Sequence, residues 1–339
     1  MTDRKRVLVV GVGSIGERHL RCFQATGRVD VSICELNDDL REKVAAQYGV
    51  ERQYASLESA LADPHDCAVI ATPAHLHIEI SRRAVQAGLD LFIEKPLSTN
   101  EKGIKELQSL IEKHQRKTAI AYVYRAHPAL AAMKAALDSG KFGKPVQLVV
   151  VSGQNFPTYR PAYRDIYYKS RETGGGAVQD ALTHSLNAGE YLVGPVESLV
   201  ADFSHQVLEG VDVEDTVHVI TRQGNVLGNF SLNQHQAANE SMITVICERG
   251  MLRFEFQKSW YRWMTEPDSE WQVGFQEALE RDTLFQRQAT AFLDYLEGSR
   301  PPLCSFEDGL QTLAVNLSIL DSVEKRSWID TATFNPSRT

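Results

Sequence analysis

The sequence has no long apolar run. Val7-Leu8-Val9-Val10 is too short for a signal-peptide core or a membrane span, and no other stretch is long enough. It also lacks paired cysteines. The five present, Cys22, Cys34, Cys67, Cys247 and Cys304, are scattered, odd in number and form no CxxC pair to hold zinc. Several lie in apolar stretches, as small core residues do, and the pattern predicts a reduced, cytoplasmic protein. Basic residues are not in excess: 36 Lys and Arg against 44 Asp and Glu give a net charge of −8. Such a chain gains little from a phosphate backbone or an anionic membrane, which argues against nucleic acid or a bilayer as its main partner. It contains no internal repeat and no low-complexity segment.

What is present is an ordinary globular composition, 43% hydrophobic and 24% charged over 339 residues. That length suggests about two domains at roughly 150 residues each, ample for a sizeable core. From Arg6 to about Val123, short apolar runs alternate with helical patterns. Strands are expected at Arg6 to Val10, Val31 to Glu35, Ala68 to Thr72, Leu89 to Ile93 and Ala119 to Val123. This rhythm predicts an α/β domain, a doubly wound parallel sheet with right-handed crossovers, over 1–123. The rhythm then changes. A helix is expected over Pro128 to Ser139 and a strand over Val146 to Val151. An irregular stretch, Asn155 to Thr173, follows, and a helix from Ala177 to about Leu192. Consecutive strands from Ser198 to Phe256, with a hairpin signal at Gln223-Gly224-Asn225, predict an antiparallel sheet in an α+β domain over 124–339. One face of it is expected to bury Val217, Val219, Leu227, Phe230 and Leu232. Two helices close the chain. The second, over 305–325, starts at a capping box on Ser305 and Asp308 and is expected to pack back on the first domain.

Three features carry chemistry. The turn Gly11-Val12-Gly13-Ser14-Ile15-Gly16 follows a strand and opens a helix, with Glu35 19 residues beyond its last glycine. This is the pattern of a dinucleotide site: backbone close to the pyrophosphate, helix N–H groups on the phosphates and an acid on the ribose hydroxyls. A carboxylate at Glu35, with no Arg at Leu36 or Asn37, favours NAD over NADP. Lys95, in Ile93-Glu94-Lys95-Pro96, ends a strand at the edge where such sheets bind ligands. It would stabilise negative charge forming on a substrate oxygen, or else be a solvated lysine. Asp180 and His184, four apart on the helix after Gly174-Gly175-Gly176, share a face; they form either an orienting carboxylate with its base or an ordinary surface pair. His75 and His77 fit packing near the cofactor better than a metal, and no metal site is expected. Lower-ranked candidates are Tyr124, Arg125 and His127 after the last strand of the first domain, and Tyr159, Arg160, Tyr163 and Arg164 in the irregular stretch. These suit a sugar ring or an anionic group, or else a packed loop. His235, at a strand end, faces either substrate or water. Trp260 and Trp263 fit sheet packing.

In this order, the glycine turn, Ala71-Thr72-Pro73-Ala74-His75-Leu76-His77, Glu94-Lys95-Pro96 and Gly174-Gly175-Gly176-x3-Asp180-x3-His184 resemble the glucose–fructose oxidoreductase / inositol dehydrogenase / rhizopine catabolism (Gfo/Idh/MocA) family over nearly the whole chain. The resemblance implies a Rossmann domain followed by a domain with a large, open, mostly antiparallel sheet that often forms the subunit interface. It implies nicotinamide-dependent redox chemistry on a sugar, polyol or related carbonyl. Lys95, Asp180 and His184 fall on its catalytic positions. His77 falls in the loop near the cofactor, with Thr72, Pro73 and Glu94 beside it. The expectation is an NAD-dependent oxidoreductase acting on a carbohydrate-like alcohol, a homodimer or homotetramer through the second sheet. A lyase or glycosidase using transient oxidation, and a non-catalytic NAD-binding protein, are its rivals.

Overall fold

In the computed structural model, residues 4–334 are described. Strands and helices alternate at first: β1 (Lys5–Val10), α1 (Ser14–Ala25), β2 (Val29–Cys34), α2 (Asp38–Tyr48), β3 (Gln53–Tyr54), α3 (Leu57–Ala62), β4 (Cys67–Ile70), α4 (His77–Gln86), β5 (Asp90–Ile93), α5 (Ile104–His114) and β6 (Thr118–Ile120). Every ladder among these strands is parallel, in the order β3-β2-β1-β4-β5-β6. Strands covered on both faces read as unbroken apolar runs, and Val7, Leu8 and Val9 are fully buried. β3 and α3 escape periodicity because a two-residue strand has no period to show. The strand expected to reach Val123 ends at Ile120, where the chain tightens into a helical turn over Val123–Ala126.

Next come α6 (Pro128–Asp138), β7 (Pro145–Gly153) and a single helical turn, α7 (Phe156–Tyr159). The helix expected from Ala177 is two geometries in series: a π-helix, Ala177–Leu182, running into α8 (Thr183–Val193). The strands β8 (Ser198–Ser204), β9 (Thr216–Gln223), β10 (Val226–Asn233), β11 (Glu240–Cys247), β12 (Gly250–Glu255), β13 (Trp260–Met264) and β14 (Gln272–Gln276) follow, then α9 (Thr283–Leu296), α10 (Phe306–Lys325) and β15 (Ile329–Asp330). The second sheet runs β14-β13-β12-β11-β7-β10-β9-β8-β15, antiparallel except where β7 meets β10. Its inner face packs with α6 and α8 around Leu148, Val150, Val217, Val219, Phe230 and Leu232. Leu227 does not join them. It lies out of phase with buried Val226 and is 45% exposed on the outer face.

The chain forms two compact units. The first runs to Val123 and also takes in Glu280–Gly309; the second is Tyr124–Leu279 and resumes at Leu310. The division therefore differs from a single cut after residue 123, because α9 belongs to the first core. The Phe292 ring lies tilted against Phe92, 4.9 Å between centroids, and meets Phe23 edge-on at 6.3 Å. Arg21 of α1 holds Asp282 with a two-pronged fork, 2.6 and 3.0 Å, and Arg28 reaches Asp294 at 2.7 Å. That fork keeps the Asp282 carboxyl below its ordinary range. Ser305 and Asp308 cap α10 reciprocally: the Asp308 N–H donates to Ser305 Oγ (3.1 Å) and the Ser305 N–H to Asp308 Oδ2 (3.0 Å). The change of unit falls inside α10, at Gly309. Among the described residues no helix is long and apolar enough to cross a membrane.

Removing the Phe292 ring should lower the stability of the first unit by about 3–5 kcal/mol, as buried Phe→Ala changes do. Urea unfolding followed on Phe292→Ala checks this; a loss below about 1 kcal/mol would place α9 outside that core.

Candidate functional site

The carboxyl ends of β1, β4 and β5 are neighbours in the first sheet, and three loops leave from them. The loop after β1 is the glycine turn. A Cβ on Gly16 would stand 1.9 Å from the Gly11 carbonyl oxygen, so only glycine lets α1 start this close to β1. Gly11 itself has φ +82°, with Ala71 and Thr72 3.0 Å from where its Cβ would be. Gly13 is different. Its φ of −61° suits any residue, and a Cβ there would meet no protein atom within 4 Å. The protein's own packing does not call for glycine at this position. A pyrophosphate laid against the turn does. Gly13 caps α1 without a side-chain bond, and Ser14 and Ile15 follow it at the surface, so the first N–H groups of the helix face outward for an anion.

Glu35 follows β2. Its carboxylate accepts from the Val12 N–H at 3.1 Å and the Asn37 N–H at 3.0 Å, which holds it beside the glycine turn. Arg41, which the sequence pattern did not single out, donates to the Glu35 carbonyl (3.0 Å) and pairs with Asp38 (2.6 Å). Its charge is already committed, so a 2′-phosphate would meet the Glu35 carboxylate instead. The residues fit NAD.

The loop after β4 carries Thr72, Pro73 and His77. The His77 ring stands between two backbone carbonyls, Thr72 O at 2.8 Å from Nε2 and Pro96 O at 3.0 Å from Nδ1. It ties the β4 loop to the β5 loop, and burial pushes its imidazole below the ordinary range despite those carbonyls. Both ring nitrogens are therefore turned to backbone carbonyls. The Thr72 hydroxyl is buried and has no hydrogen-bond partner among the described residues.

The loop after β5 carries Glu94 and Lys95. Glu94 is 5% exposed; its Oε1 lies 2.5 Å from Nε2 of fully buried His19 on α1, and its Oε2 accepts the Lys95 N–H at 3.0 Å. Burial alone would raise Glu94, but the His19 bond and the charges of His19 and Lys95 more than offset it and hold the carboxyl low. The Lys95–Pro96 peptide is cis. Lys95 is half-buried, its backbone fixed by this pair. His19 was missed. A histidine three residues past Gly16 on the inner face of α1 was the available signal.

In the second unit, the triple glycine threads the chain past two obstacles. A Cβ on Gly175 would lie 2.0 Å from the Tyr168 carbonyl oxygen, and one on Gly176 would lie 2.5 Å from Glu214 Oε1. Glu214 is buried. It accepts from the Val178 N–H at 3.1 Å and from Arg171 at 2.9 Å, clamping the start of the π-helix. Asp180 follows on that helix, 5% exposed, with its Oδ1 accepting from the Tyr167 hydroxyl at 2.7 Å. His184 is half-buried and stacks on Tyr124, 5.4 Å between centroids and 19° between planes. Tyr124 stacks in turn on Phe256 at 4.6 Å and donates to Ser241 at 3.2 Å. The carboxylate and the imidazole thus each have an aromatic companion, Tyr167 for one and Tyr124 for the other.

The lower-ranked candidates separate. Tyr163 is 1% exposed in a small core with Phe156, Tyr168 and Leu208, and its hydroxyl donates to the Glu209 carbonyl. That corrects its reading as a sugar contact: the ring packs inward. Arg164 donates to the same carbonyl and to the Tyr163 oxygen. Arg125 is buried, with Nε on Asn187 at 2.8 Å and its guanidinium 4.3 Å above the Tyr191 ring. His127 caps α6, its Nδ1 accepting the Ala129 N–H. His235 is half-buried beside the Thr216 hydroxyl at 3.0 Å. Tyr159 and Arg160 are exposed. Trp260 and Trp263 lie on β13, in the sheet.

Residues 5–122 match the family model described as the oxidoreductase family with an NAD-binding Rossmann fold, and residues 130–253 match the model of the GFO/IDH/MocA C-terminal domain. Levoglucosan dehydrogenase of Pseudarthrobacter phenanthrenivorans is 24% identical, covering 95% of this chain and 97% of that protein. Myo-inositol 2-dehydrogenase of Thermotoga maritima is likewise 24% identical over 95% of this chain and 97% of its own. The structure of levoglucosan dehydrogenase in complex with NADH and levoglucosan shares the fold, with a TM-score of 0.88 at 22% identity over 97% of this chain and all of that one, 100%. The glycine turn with Glu35 held against it and the matched pair of domains lead to one conclusion: the chain belongs to the Gfo/Idh/MocA family of NAD-binding oxidoreductases.

Proposed function

We propose that the protein oxidises a sugar- or polyol-like secondary alcohol, or reduces the corresponding carbonyl, and that Lys95, Asp180 and His184 are its catalytic residues. One observation carries the reading. The glycine turn, Thr72 and Lys95 leave the carboxyl ends of adjacent parallel strands, where a doubly wound sheet binds its ligand. The relatives support the substrate class, since those named above act on levoglucosan and on inositol.

The cofactor would lie on Gly11, Gly13, Ser14, Ile15 and Gly16, with its ribose on Glu35 and with Thr72, Pro73, His77 and Glu94 lining its far half. Bound NAD supplies the acceptor for the hydrogen leaving the carbinol carbon. His184 accepts the hydroxyl proton, and Asp180 keeps the imidazole oriented and favours its charged form once the proton arrives. The Lys95 ammonium bonds the same substrate oxygen and stabilises the negative charge that grows there. Tyr159, Arg160 and His235 are the remaining candidates for holding the rest of the substrate.

We also read the outer face of the second sheet as a subunit interface in a dimer or tetramer. Ile220 is 53% exposed and Leu227 45% exposed, on neighbouring strands of that face. Apolar side chains grouped on an open sheet are a usual sign of such a surface.

A panel of neutral sugars and polyols with NAD, followed at 340 nm, tests the reaction. Accumulation of NADH with at least one member is expected; turnover of a substrate without net NADH would favour the lyase or glycosidase rival. Lys95→Ala should lose at least about 100-fold in kcat while NADH binding stays within a few-fold, the pattern of a group used in the transition state. Unchanged kcat in that variant would remove Lys95 from the mechanism. Ile220→Lys combined with Leu227→Lys should shift the mass in solution by light scattering to that of a monomer; an unchanged mass would move the interface elsewhere.

A further inference from the structure

We propose that Tyr167 is a positioning residue for Asp180, so that the irregular segment before the triple glycine takes part in the reaction. The inference rests on the catalytic reading of Asp180 given above. Its basis is the 2.7 Å bond from the Tyr167 hydroxyl to Asp180 Oδ1.

Asp180 sits among acids. Glu214 is bonded two residues earlier on the same helix, at the Val178 N–H. Burial, and then the charges of Asp180, Glu214 and Asp215, push the Tyr168 phenol above its ordinary range, so all three carboxylates bear on one ring. Donated hydrogen bonds stabilise the charged form of a carboxylate in such surroundings. Asp215 has its own donors in the N–H groups of Gln206, Val207 and Leu208 and the Thr216 hydroxyl. Glu214 has the Val178 N–H and Arg171. The Tyr167 hydroxyl donates to Asp180, and Tyr167, like Arg171, belongs to the irregular segment. His184 follows one turn later on the same helical run, and Tyr124 covers its ring.

Tyr167 is also held from behind. Its carbonyl accepts the Thr173 hydroxyl at 2.6 Å, so the turn that carries the phenol closes on itself. The phenol is 36% exposed, while Tyr168 beside it is fully buried, with its hydroxyl on Gln234. The buried neighbour anchors the segment, and the exposed one presents its hydroxyl to the carboxylate. The bond serves two ends. It fixes the plane of the Asp180 carboxylate, and it ties the irregular segment to the helix that carries His184.

Tyr167→Phe tests this, since it removes one oxygen and leaves the ring. With a substrate from the NADH panel, kcat should fall about tenfold with KM within about twofold, as for a lost positioning bond. The acid limb of the kcat profile should move to higher pH, because a carboxylate short of a donor protonates more readily. In the Asp180→Asn background the same change should have little further effect. Rate and pH profile equal to the unaltered enzyme would overturn the proposal. So would an equal loss in both backgrounds, which would place the action of Tyr167 elsewhere. No turnover by the unaltered enzyme with any panel member would defeat the catalytic reading and this inference with it.

Discussion

The first unit depends on one backbone contact, the approach of α1 to the end of β1 at Gly16. The helix starts against the Gly11 carbonyl, with no room for even a methyl group. That closeness sets the helix N-terminus over the sheet edge and brings the Val12 N–H within reach of Glu35. It also fixes where His19 falls, one turn into the helix and facing the buried end of β5. The His19–Glu94 pair then carries the placement of α1 across to the residue before Lys95. A substitution at Gly16 would therefore disturb the cofactor turn and the lysine together, although they are about 80 residues apart in sequence.

The second unit repeats the device with different parts. Gly175 and Gly176 admit a carbonyl and a carboxylate where side chains would stand, and the helix that leaves them begins as a π-helix. Buried Glu214 bonds its first turn. The wider helix then changes to α geometry at Thr183, immediately before His184. π-helical turns of this sort often mark functional sites, because they re-aim side chains that an unbroken α-helix would space differently. Both units thus use glycine for close approach and a buried carboxylate to secure the result.

Much of this was legible in the sequence where the determinants are local. The apolar run, glycine turn and acid of β1, α1 and β2 lie within some 30 consecutive residues, and each enforces the next. Alternation placed Val217, Val219, Phe230 and Leu232 on the core face. Leu227 failed because hydrophobicity alone does not fix phase, and its neighbour Val226 holds the inward position. Two closing helices were expected, but a helical pattern does not say which core α9 will join; Phe92, Phe23 and the Arg21 fork decide that. The irregular segment was read by composition, and composition does not separate Tyr163, turned into a core, from Tyr167, bonded to Asp180. His19 offered only its place on the inner face of α1, three residues past Gly16; its partner lies 75 positions away, where no local pattern reaches.

In the proposed reaction, hydrogen would pass directly from a carbinol carbon to the nicotinamide, with this chain's residues managing the charge and proton on the oxygen. The most direct measurement uses a substrate deuterated at that carbon. The NADH formed is expected to carry deuterium at nicotinamide C4 by mass spectrometry, and kcat/KM to show a primary isotope effect. NADH free of the label would contradict it.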